Sequence, residues 1–426
     1  MLRSNRLVLL FSLLVLVGLS SQAFAHWTGT IEVWDFPRWA PPGDPDGDMF
    51  YFLREKIREF EEMYPGVNIE LVELAWSGGD QKLDVAVASG NYPDVASRPM
   101  ENLLNYIRQG AVEPITPYLT EEDWQDLYET ALEHFTYEGE VYAWPWFMTT
   151  TSMFINLDLF EERGVTPPAD GVWTWDEFLA SMKALTFDRD GDGRIDVYGL
   201  GIPGANREVL GFVFAEGGRP LSEDGTEFTF NAPEAIRGFQ KLYDLIHVHK
   251  VAPPHSGAAA RNDVWEEFMT RQTLAAIPAD SRLARELESS GNFRFAAVEY
   301  PQGDTGRTAT QGAVTGYAVF KQEDPAKRDM VMEFVRYVTS AEQQYRLAEY
   351  GVFPSRRSAS DLYAGDEYYS RIARHLEWAV AFPAHPNWSK INARITPQLE
   401  LMLLGRLDPQ SAMDQVAREV APLLAE

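Results

Sequence analysis

The 426-residue sequence contains no cysteine. This absence excludes structural disulfides, cysteine–zinc sites, iron–sulfur clusters and thiol catalysis. It also excludes a lipid anchor attached to an N-terminal cysteine, so we expect a protein that is not a lipoprotein.

Positive charge is also scarce. Lysine and arginine number 37 against 64 aspartates and glutamates, which gives a formal net charge of −27. A nucleic-acid backbone needs a basic binding face, and an anionic membrane surface attracts basic segments. Neither is therefore expected as a partner.

The third scarce feature is the long apolar run, of which there is one, at the N-terminus. Arg3 and Arg6 precede 13 apolar or small residues at 7–19, and Ala23-Phe24-Ala25 follows. The run is short for a membrane span of about 20 residues, and its flanks are typical of a secretory signal peptide. We predict a signal peptide at 1–25 that is cleaved after Ala25, which leaves 426 − 25 = 401 residues, and export to the periplasm.

What the sequence does contain is ample material for a packed core. Apolar residues make up 45% of the chain and aromatic residues 13%. This composition argues against disorder, and the length predicts two or three domains.

The mature chain opens with the pattern of a β-α-β unit. Residues 30–34 alternate, 53–64 carry apolar side chains at helical spacing, and 67–71 alternate again. Further on, Thr174 and Glu177 form a capping-box pattern, and Pro233 and Asp324-Pro325 are typical of helix starts. Strands that alternate with helices in this way predict an α/β fold with parallel strands.

One segment has the pattern of a calcium loop. Asp188, Asp190, Asp192 and Asp196 take positions 1, 3, 5 and 9 of an EF-hand-type loop, and the Arg194 carbonyl takes position 7. Position 12 is glycine rather than the usual glutamate. Two interpretations remain open: a structural Ca²⁺ site and an acidic turn without a metal.

Tryptophan is the other unusual feature, with 12 residues in the chain. Two of them, Trp124 and Trp265, lie in helical patterns and are expected to pack. Six fall at strand ends or in loops, where a flat aromatic face suits the apolar face of a sugar ring. These six are Trp34, Trp39, Trp76, Trp144, Trp146 and Trp388.

The order of several short motifs resembles the solute-binding proteins of ABC importers, in the family that includes maltose-binding protein. The resemblance extends from about residue 27 to 424. It depends on the opening strand at 31–34, on 60–67 (FEEMYPGV), 88–95 (ASGNYPDV), 139–145 (GEVYAWP), 198–200 (YGL) and 214–218 (FAEGG), and on 312–320 followed by the helix start at 324–325.

The resemblance implies two α/β lobes that are joined by chain crossings, with a ligand cleft between them. It places crossings at 142–147, at 298–303 and near 340–345. The first lobe would then combine 28–142 with 303–340, and the second lobe would combine 143–302 with 341–426.

It also implies ligand-binding residues in the first lobe. Trp34 and Asp35 match the end of the first strand, where the family contacts its ligand. Asp94 and Arg98 match another ligand-facing loop, after the Pro-Asp-Val strand.

Further ligand contacts are implied in the crossings and the second lobe. Trp144 and Trp146 match the first crossing, and Glu216 precedes a Gly-Gly turn. Asp280 stands where many relatives carry an aromatic residue. Trp388 matches a C-terminal aromatic residue on which relatives stack a sugar. Trp39 and Trp76 are added from their loop positions alone.

The resemblance implies a monomeric, non-catalytic protein that carries a sugar, of di- or oligosaccharide size, to an ABC permease. It implies no cofactor for chemistry. Two alternatives stay open. A secreted carbohydrate-active enzyme would use two cleft carboxylates. The same fold could instead bind a glycerol phosphodiester, with Arg98 and Arg282 as hydrogen-bond donors to its phosphate.

Overall fold

The computed structural model describes residues 26–41, 44, 47–205 and 207–425. The predicted signal peptide at 1–25 lies outside these residues. None of the helices in the described ranges has the length and apolar character needed to cross a membrane.

The strands of the described residues are numbered in chain order. They are β1 (Gly29–Asp35), β2 (Val67–Glu73), β3 (Val95–Arg98), β4 (Thr136–Tyr137), β5 (Glu140–Val141), β6 (Trp144–Asn156), β7 (Ala276–Asp280), β8 (Phe295–Val298), β9 (Thr310–Val319), β10 (Phe353–Pro354) and β11 (Ala379–Val380).

The helices are numbered in the same way, and short 3₁₀ turns and one π turn (Glu267–Arg271) connect some of them. They are α1 (Tyr51–Met63), α2 (Gly79–Ser89), α3 (Met100–Arg108), α4 (Glu121–Asp126), α5 (Glu129–His134), α6 (Leu157–Glu162), α7 (Trp175–Ala184), α8 (Gly211–Ala215), α9 (Pro233–His247), α10 (Arg261–Glu266), α11 (Leu283–Ser290), α12 (Pro325–Val338), α13 (Ala341–Tyr345), α14 (Glu367–His375), α15 (Trp388–Leu403) and α16 (Pro409–Leu424).

The predicted β-α-β unit is confirmed. Strand β1 pairs in parallel with both β2 and β3, and helix α1 connects β1 to β2. Ile31 and Val33, which alternate along β1, are fully buried. The first lobe is therefore built on the parallel order β2-β1-β3, and β3 continues into β9, β6 and β10 through antiparallel pairs.

The predicted helix starts are confirmed as well. The Thr174 hydroxyl accepts a hydrogen bond from the Glu177 amide, and the Glu177 carboxylate accepts one from the Thr174 amide, which completes a capping box for α7. Helices α9 and α12 begin at Pro233 and Pro325, and Asp324 caps α12 by accepting from the Ala326 amide.

One long strand joins the two lobes. The first half of β6 pairs with β9 in the first lobe, at 144–150, and its second half pairs with β7 and β8 in the second lobe, at 151–156. Strands β9 and β10 cross beside it. The three crossings of the chain therefore lie side by side, so a small change in their backbone angles changes the angle between the lobes.

The buried side chains separate into cores on either side of these crossings. One core combines 31–147 with 317–352, and the second lobe holds two clusters that include Phe178, Phe239, Trp265 and Trp388. The lobe boundaries are thus shifted from the predicted ones. Trp144 and Trp146 belong to the first-lobe core, and Ala309 belongs to the second. The first-lobe core continues to Val352, because Tyr350 packs against Trp39 and Phe52.

Candidate functional site

A cavity of about 730 Å³ lies between the lobes. Its floor is made by alternate residues of the two long crossing strands, whose side chains point to the same face of the sheet. These residues are Phe147 and Thr149 of β6, and Gln311, Ala313 and Thr315 of β9. The size is that of a site for one small ligand.

The first-lobe wall comes from the carboxyl ends of parallel strands, where α/β sheets bind ligands. Arg38 and Trp39 follow β1, and Arg98 and Asn102 lie at the end of β3 and in α3. Trp76, just before α2, completes this wall.

The second-lobe wall is contributed by segments far apart in sequence. Arg207 lies in a 3₁₀ turn, Arg261 and Trp265 lie on α10, and Arg282 follows β7. The π turn that follows α10 locally breaks its regular hydrogen bonding, which is common near functional sites. Phe382 also faces the cleft.

Trp76 presents an aromatic face to the cleft. Its indole is stacked on Phe36, with ring centroids 4.8 Å apart, and its Nε1–H donates to the Pro37 carbonyl at 3.0 Å. These contacts fix the ring while 57% of the residue stays exposed. Trp39 is different, because its ring is buried against Tyr350 and Trp146 and contributes one side to the cleft wall.

Asp35 acts on the cleft through its neighbour rather than directly. Its buried carboxylate accepts hydrogen bonds from the Phe36 amide at 2.7 Å, the Tyr317 hydroxyl at 3.0 Å and Arg38 Nε at 3.3 Å. Arg38 Nη2 donates in turn to the Ser97 hydroxyl at 2.7 Å. Asp35 is therefore a positioning residue for Arg38, which lines the cleft.

Asp280 has the same role in the second lobe. Its buried carboxylate accepts from Arg282 through Nε at 3.0 Å and Nη2 at 2.6 Å, and Arg207 Nη2 lies 3.8 Å away. Burial opposes ionisation here, but Arg282, Arg207 and Arg261 outweigh it and hold the pKa of Asp280 well below its usual value. The predicted residue thus orients two cleft arginines.

Glu101 of α3 and His134 of α5 form a buried polar pair. Burial raises the pKa of Glu101 to about 7 and lowers the pKa of His134 to about 4. His134 Nε2 accepts a hydrogen bond from the Met100 amide, which requires a neutral ring. The 3.8 Å approach of Glu101 to His134 is therefore not an ion pair at neutral pH. Glu101 itself lines the cleft.

Several buried polar atoms of cleft residues have no hydrogen-bond partner among the described residues. They are Arg98 Nε, Glu101 Oε2, Trp265 Nε1 and Gln311 Oε1. Buried polar groups are nearly always paired in native proteins. This set offers donors and acceptors together, which fits a polar ligand with both kinds of group.

Three predicted tryptophans lie in the cores and not at the cleft surface. Trp144 and Trp146 are at most 1% exposed in the first-lobe core. Trp388 is 3% exposed in the second-lobe core, where its ring packs 5.1 Å from Phe382. The expected stacking face of Trp388 is therefore covered, and Phe382 stands between it and the cleft.

Three other predicted residues also lie away from the cleft lining. Asp94 precedes β3 and so lies at the amino ends of the parallel strands, away from the cleft. There it accepts a hydrogen bond from the Glu32 amide and forms an ion pair with Lys327. Trp34 is buried, and its ring lies under the Lys82 ammonium, 4.7 Å away. Glu216 is buried in an ion pair with Lys241.

Of the predicted ligand residues, Trp39, Trp76 and Arg98 line the cleft, and Asp35 and Asp280 position arginines that do. The sequence patterns missed most of the lining because single arginines and amides carry no local signal of which face of the fold they will meet. The missed residues include Arg38, Glu101, Asn102, Arg207, Arg261, Trp265, Gln311 and Phe382.

The lobes also touch beside the cleft. Asn102 Nδ2 of α3 donates to the Ser389 hydroxyl of α15 at 3.3 Å. Because Asn102 lines the cleft as well, this contact joins the two walls next to the site.

The acidic loop lies in the second lobe, and none of its residues lines the cleft. Carboxylate oxygens of Asp188, Asp190 and Asp196 lie within 4.8 Å of one another. Hydrogen bonds from loop amides, that of Gly193 first, lower the pKa of Asp188. Asp192 instead accepts from the Arg194 amide and lies outside this group of three.

Comparison with known proteins identifies the class to which this fold and cleft belong. Residues 55–372 match the sequence profile of the bacterial extracellular solute-binding protein family. The match covers most of the chain, and the chain belongs to this family of binding proteins. The prediction of a solute-binding protein is confirmed.

Individual relatives are distant in sequence but similar over most of their length. The diacetylchitobiose binding protein DasA of Streptomyces coelicolor is 24% identical over 368 residues, which is 82% of this chain and 81% of DasA. The structure of an ABC substrate-binding protein from Listeria monocytogenes in complex with cycloalternan has a TM-score of 0.78 at 22% identity, and covers 93% of this chain and 99% of its own. The structure of UgpB from Mycobacterium tuberculosis in complex with glycerophosphocholine has a TM-score of 0.76 at 20% identity, and the match covers 94% of this chain and 99% of UgpB. These similarities confirm the two-lobe α/β fold.

Proposed function

We propose that the protein captures an oligosaccharide in the interlobe cleft and delivers it to the permease of an ABC importer. Family membership supports the role of a binding protein. The names of DasA and of the Listeria protein describe saccharide ligands for those two proteins. We propose binding without catalysis.

The observation that carries the proposal is the composition of the cleft. It combines an exposed, fixed indole face at Trp76 with buried polar atoms that have no hydrogen-bond partner within the described ranges, such as Trp265 Nε1 and Gln311 Oε1. A sugar ring offers an apolar C–H face to the first and hydroxyl groups to the second.

The geometry also supports closure around the ligand. The crossings β6, β9 and β10 lie side by side, and the ligand would contact both lobes. A ligand that binds both walls favours the closed state by its differential affinity. We propose that the permease recognises this closed form, and that the protein acts as a monomer in the periplasm after removal of 1–25.

A thermal-shift screen over neutral and acidic mono- and oligosaccharides tests the proposal, because a ligand that binds the folded state stabilises it by mass action. Glycerophosphocholine belongs in the screen because one structural relative is in complex with it. Hits are then titrated by calorimetry. A hit that binds at one per chain and is recovered uncleaved supports the proposal, whereas products of cleavage would favour the enzyme alternative. A screen with no saccharide hit would contradict it.

We also propose that the loop at 188–196 holds a structural Ca²⁺. Oxygen ligands suit this hard cation, and three carboxylates within 4.8 Å repel one another without a charge between them. The loop lies outside the cleft, so bound Ca²⁺ would stabilise the second lobe and leave sugar binding nearly unchanged.

A further inference from the structure

The cleft reverses the charge balance of the chain. Acidic residues outnumber basic ones by 64 to 37 overall. Among the described residues that line the cleft, by contrast, five are arginines and two, Glu101 and Glu286, are acidic. The five are Arg38, Arg98, Arg207, Arg261 and Arg282. Arginine side chains at a cleft surface can bind a ligand carboxylate or phosphate through charge-assisted hydrogen bonds.

The arginines of the second lobe are held from behind by buried carboxylates. The Asp280 carboxylate accepts hydrogen bonds from Nε and Nη2 of Arg282. The Nη1 donors of Arg282 take no part in this pair, and the side chain is 34% exposed. Arg261 Nε lies 2.8 Å from Glu208, whose carboxylate is fully buried. Asp280 and Glu208 therefore lie behind the arginines, whose side chains line the cleft.

The first lobe is arranged in the same way. Asp35 holds Arg38, and Asp80 forms an ion pair with Arg98, whose guanidinium lies 4.3 Å from the Phe36 ring centroid. Arg98 Nε is buried and has no hydrogen-bond partner among the described residues. Arginine side chains thus lie on both sides of the cleft, and an anionic group between them would attract the arginines of both lobes.

The acidic groups at the cleft surface offset these cations only partly. Burial raises the pKa values of Glu101 and Glu286 to about 7, so a substantial fraction of each carboxyl is uncharged at neutral pH. Guanidinium groups bind carboxylates and phosphates through paired hydrogen bonds with a fixed fork geometry. The use of arginine alone, without lysine, among the described lining residues fits that geometry.

We infer that the ligand of this cleft is an anionic saccharide, whose oxyanion lies between the arginines of the two lobes while a sugar ring faces Trp76. The inference rests on the proposed function and specifies its substrate class. A carboxylate of a sugar acid and a phosphate ester share the required chemistry, and the experiment below separates them.

The test uses pairs of probes that differ in charge. They are trigalacturonate and its methyl ester, cellobiouronic acid and cellobiose, and glucose 6-phosphate and glucose, with maltotriose as a neutral oligosaccharide. We expect the acidic member of at least one pair to bind about thirtyfold more tightly than its neutral partner, the lower end of the effect of a desolvated charge pair. Its affinity should fall with salt concentration. The pair that binds identifies the anion as carboxylate or phosphate.

Variants of Arg207 test the role of the cleft charge. Arg207→Gln leaves the Arg282–Asp280 pair intact and should weaken the acidic probe about thirtyfold while changing its neutral partner little. Arg207→Lys should recover part of the loss. Arg294→Gln, which alters an exposed ion pair with Asp158 that does not line the cleft, is the matched control.

Three outcomes would overturn the inference, and the first two distinguish its failure from that of the proposed function. If neutral saccharides bind as tightly as their acidic partners, the anionic class is wrong and the proposed sugar-binding function stands. If no saccharide of either class binds, the proposed function fails together with the inference. Equal losses for acidic and neutral probes in Arg207→Gln would also contradict the charge argument.

Discussion

Replacing Trp76 by alanine should weaken saccharide binding and leave the fold largely intact. The ring lies at the cleft surface, is held by Phe36 and the Pro37 carbonyl, and is more than half exposed. A sugar that stacks on it would bury surface that is open to water in the unliganded protein. The loss should therefore fall on affinity and not on the free energy of unfolding.

The size of the effect follows from the exposed area. A tryptophan can bury roughly 250 Å², and 57% exposure at Trp76 leaves about 140 Å² of that. A sugar covers one face, about half of this area, which is worth about 1.8 kcal/mol at 25 cal/mol per Å². The expected loss of affinity is about 20-fold.

Trp388→Ala is the matched control, because this tryptophan was predicted from sequence to stack on the sugar and lies instead in the second-lobe core. Its truncation should destabilise the protein by about 3–5 kcal/mol, as for other large core residues. Its effect on affinity should be small and indirect, through Phe382.

Calorimetric titration with the saccharide that gives the largest thermal shift, together with urea unfolding of each variant, measures both quantities. Trp76→Phe keeps an aromatic face and should retain most of the affinity. If Trp76→Ala bound normally while Trp388→Ala lost affinity without losing stability, the assignment of the stacking face would be refuted.

Three further outcomes are expected. Asp190→Asn should abolish the rise in melting temperature that Ca²⁺ produces in the wild type, and equal melting temperatures in calcium and chelator would refute the metal site. Glu101→Gln should be more stable than the wild type at pH 8 by up to about 3 kcal/mol. The pKa of Glu101 is near 4.5 in the unfolded chain and about 7 in the folded protein, so the protonated carboxyl favours folding below pH 4.5, and this contribution is lost as pH rises through about 7. The free energies of unfolding of the two proteins, measured in urea, should therefore converge at pH 4.5. Saturating ligand should reduce the radius of gyration in small-angle scattering by closing the lobes, and an unchanged radius would contradict closure at the crossings.

The sequence by itself determined the local elements and the class of fold. Alternation at 30–34 places Ile31 and Val33 on the buried face of β1, and Thr174 and Glu177 cap α7 through neighbours three residues apart. The acidic spacing at 188–196 likewise brings three carboxylates together within one loop. These features depend on residues close in sequence, so their pattern is readable without a structure.

The tertiary structure alone decided which side chains meet in the cleft. Whether a tryptophan at a strand end faces ligand or core depends on which layers cover it, and so Trp76 is exposed while Trp144 and Trp388 are buried. Asp94 and Arg98 stand four residues apart but at opposite ends of β3, because an extended chain rises about 3.3 Å per residue. The arginines of the cleft come from segments up to 244 residues apart (Arg38 and Arg282). Only the folding of both lobes against the crossing strands brings them to one surface.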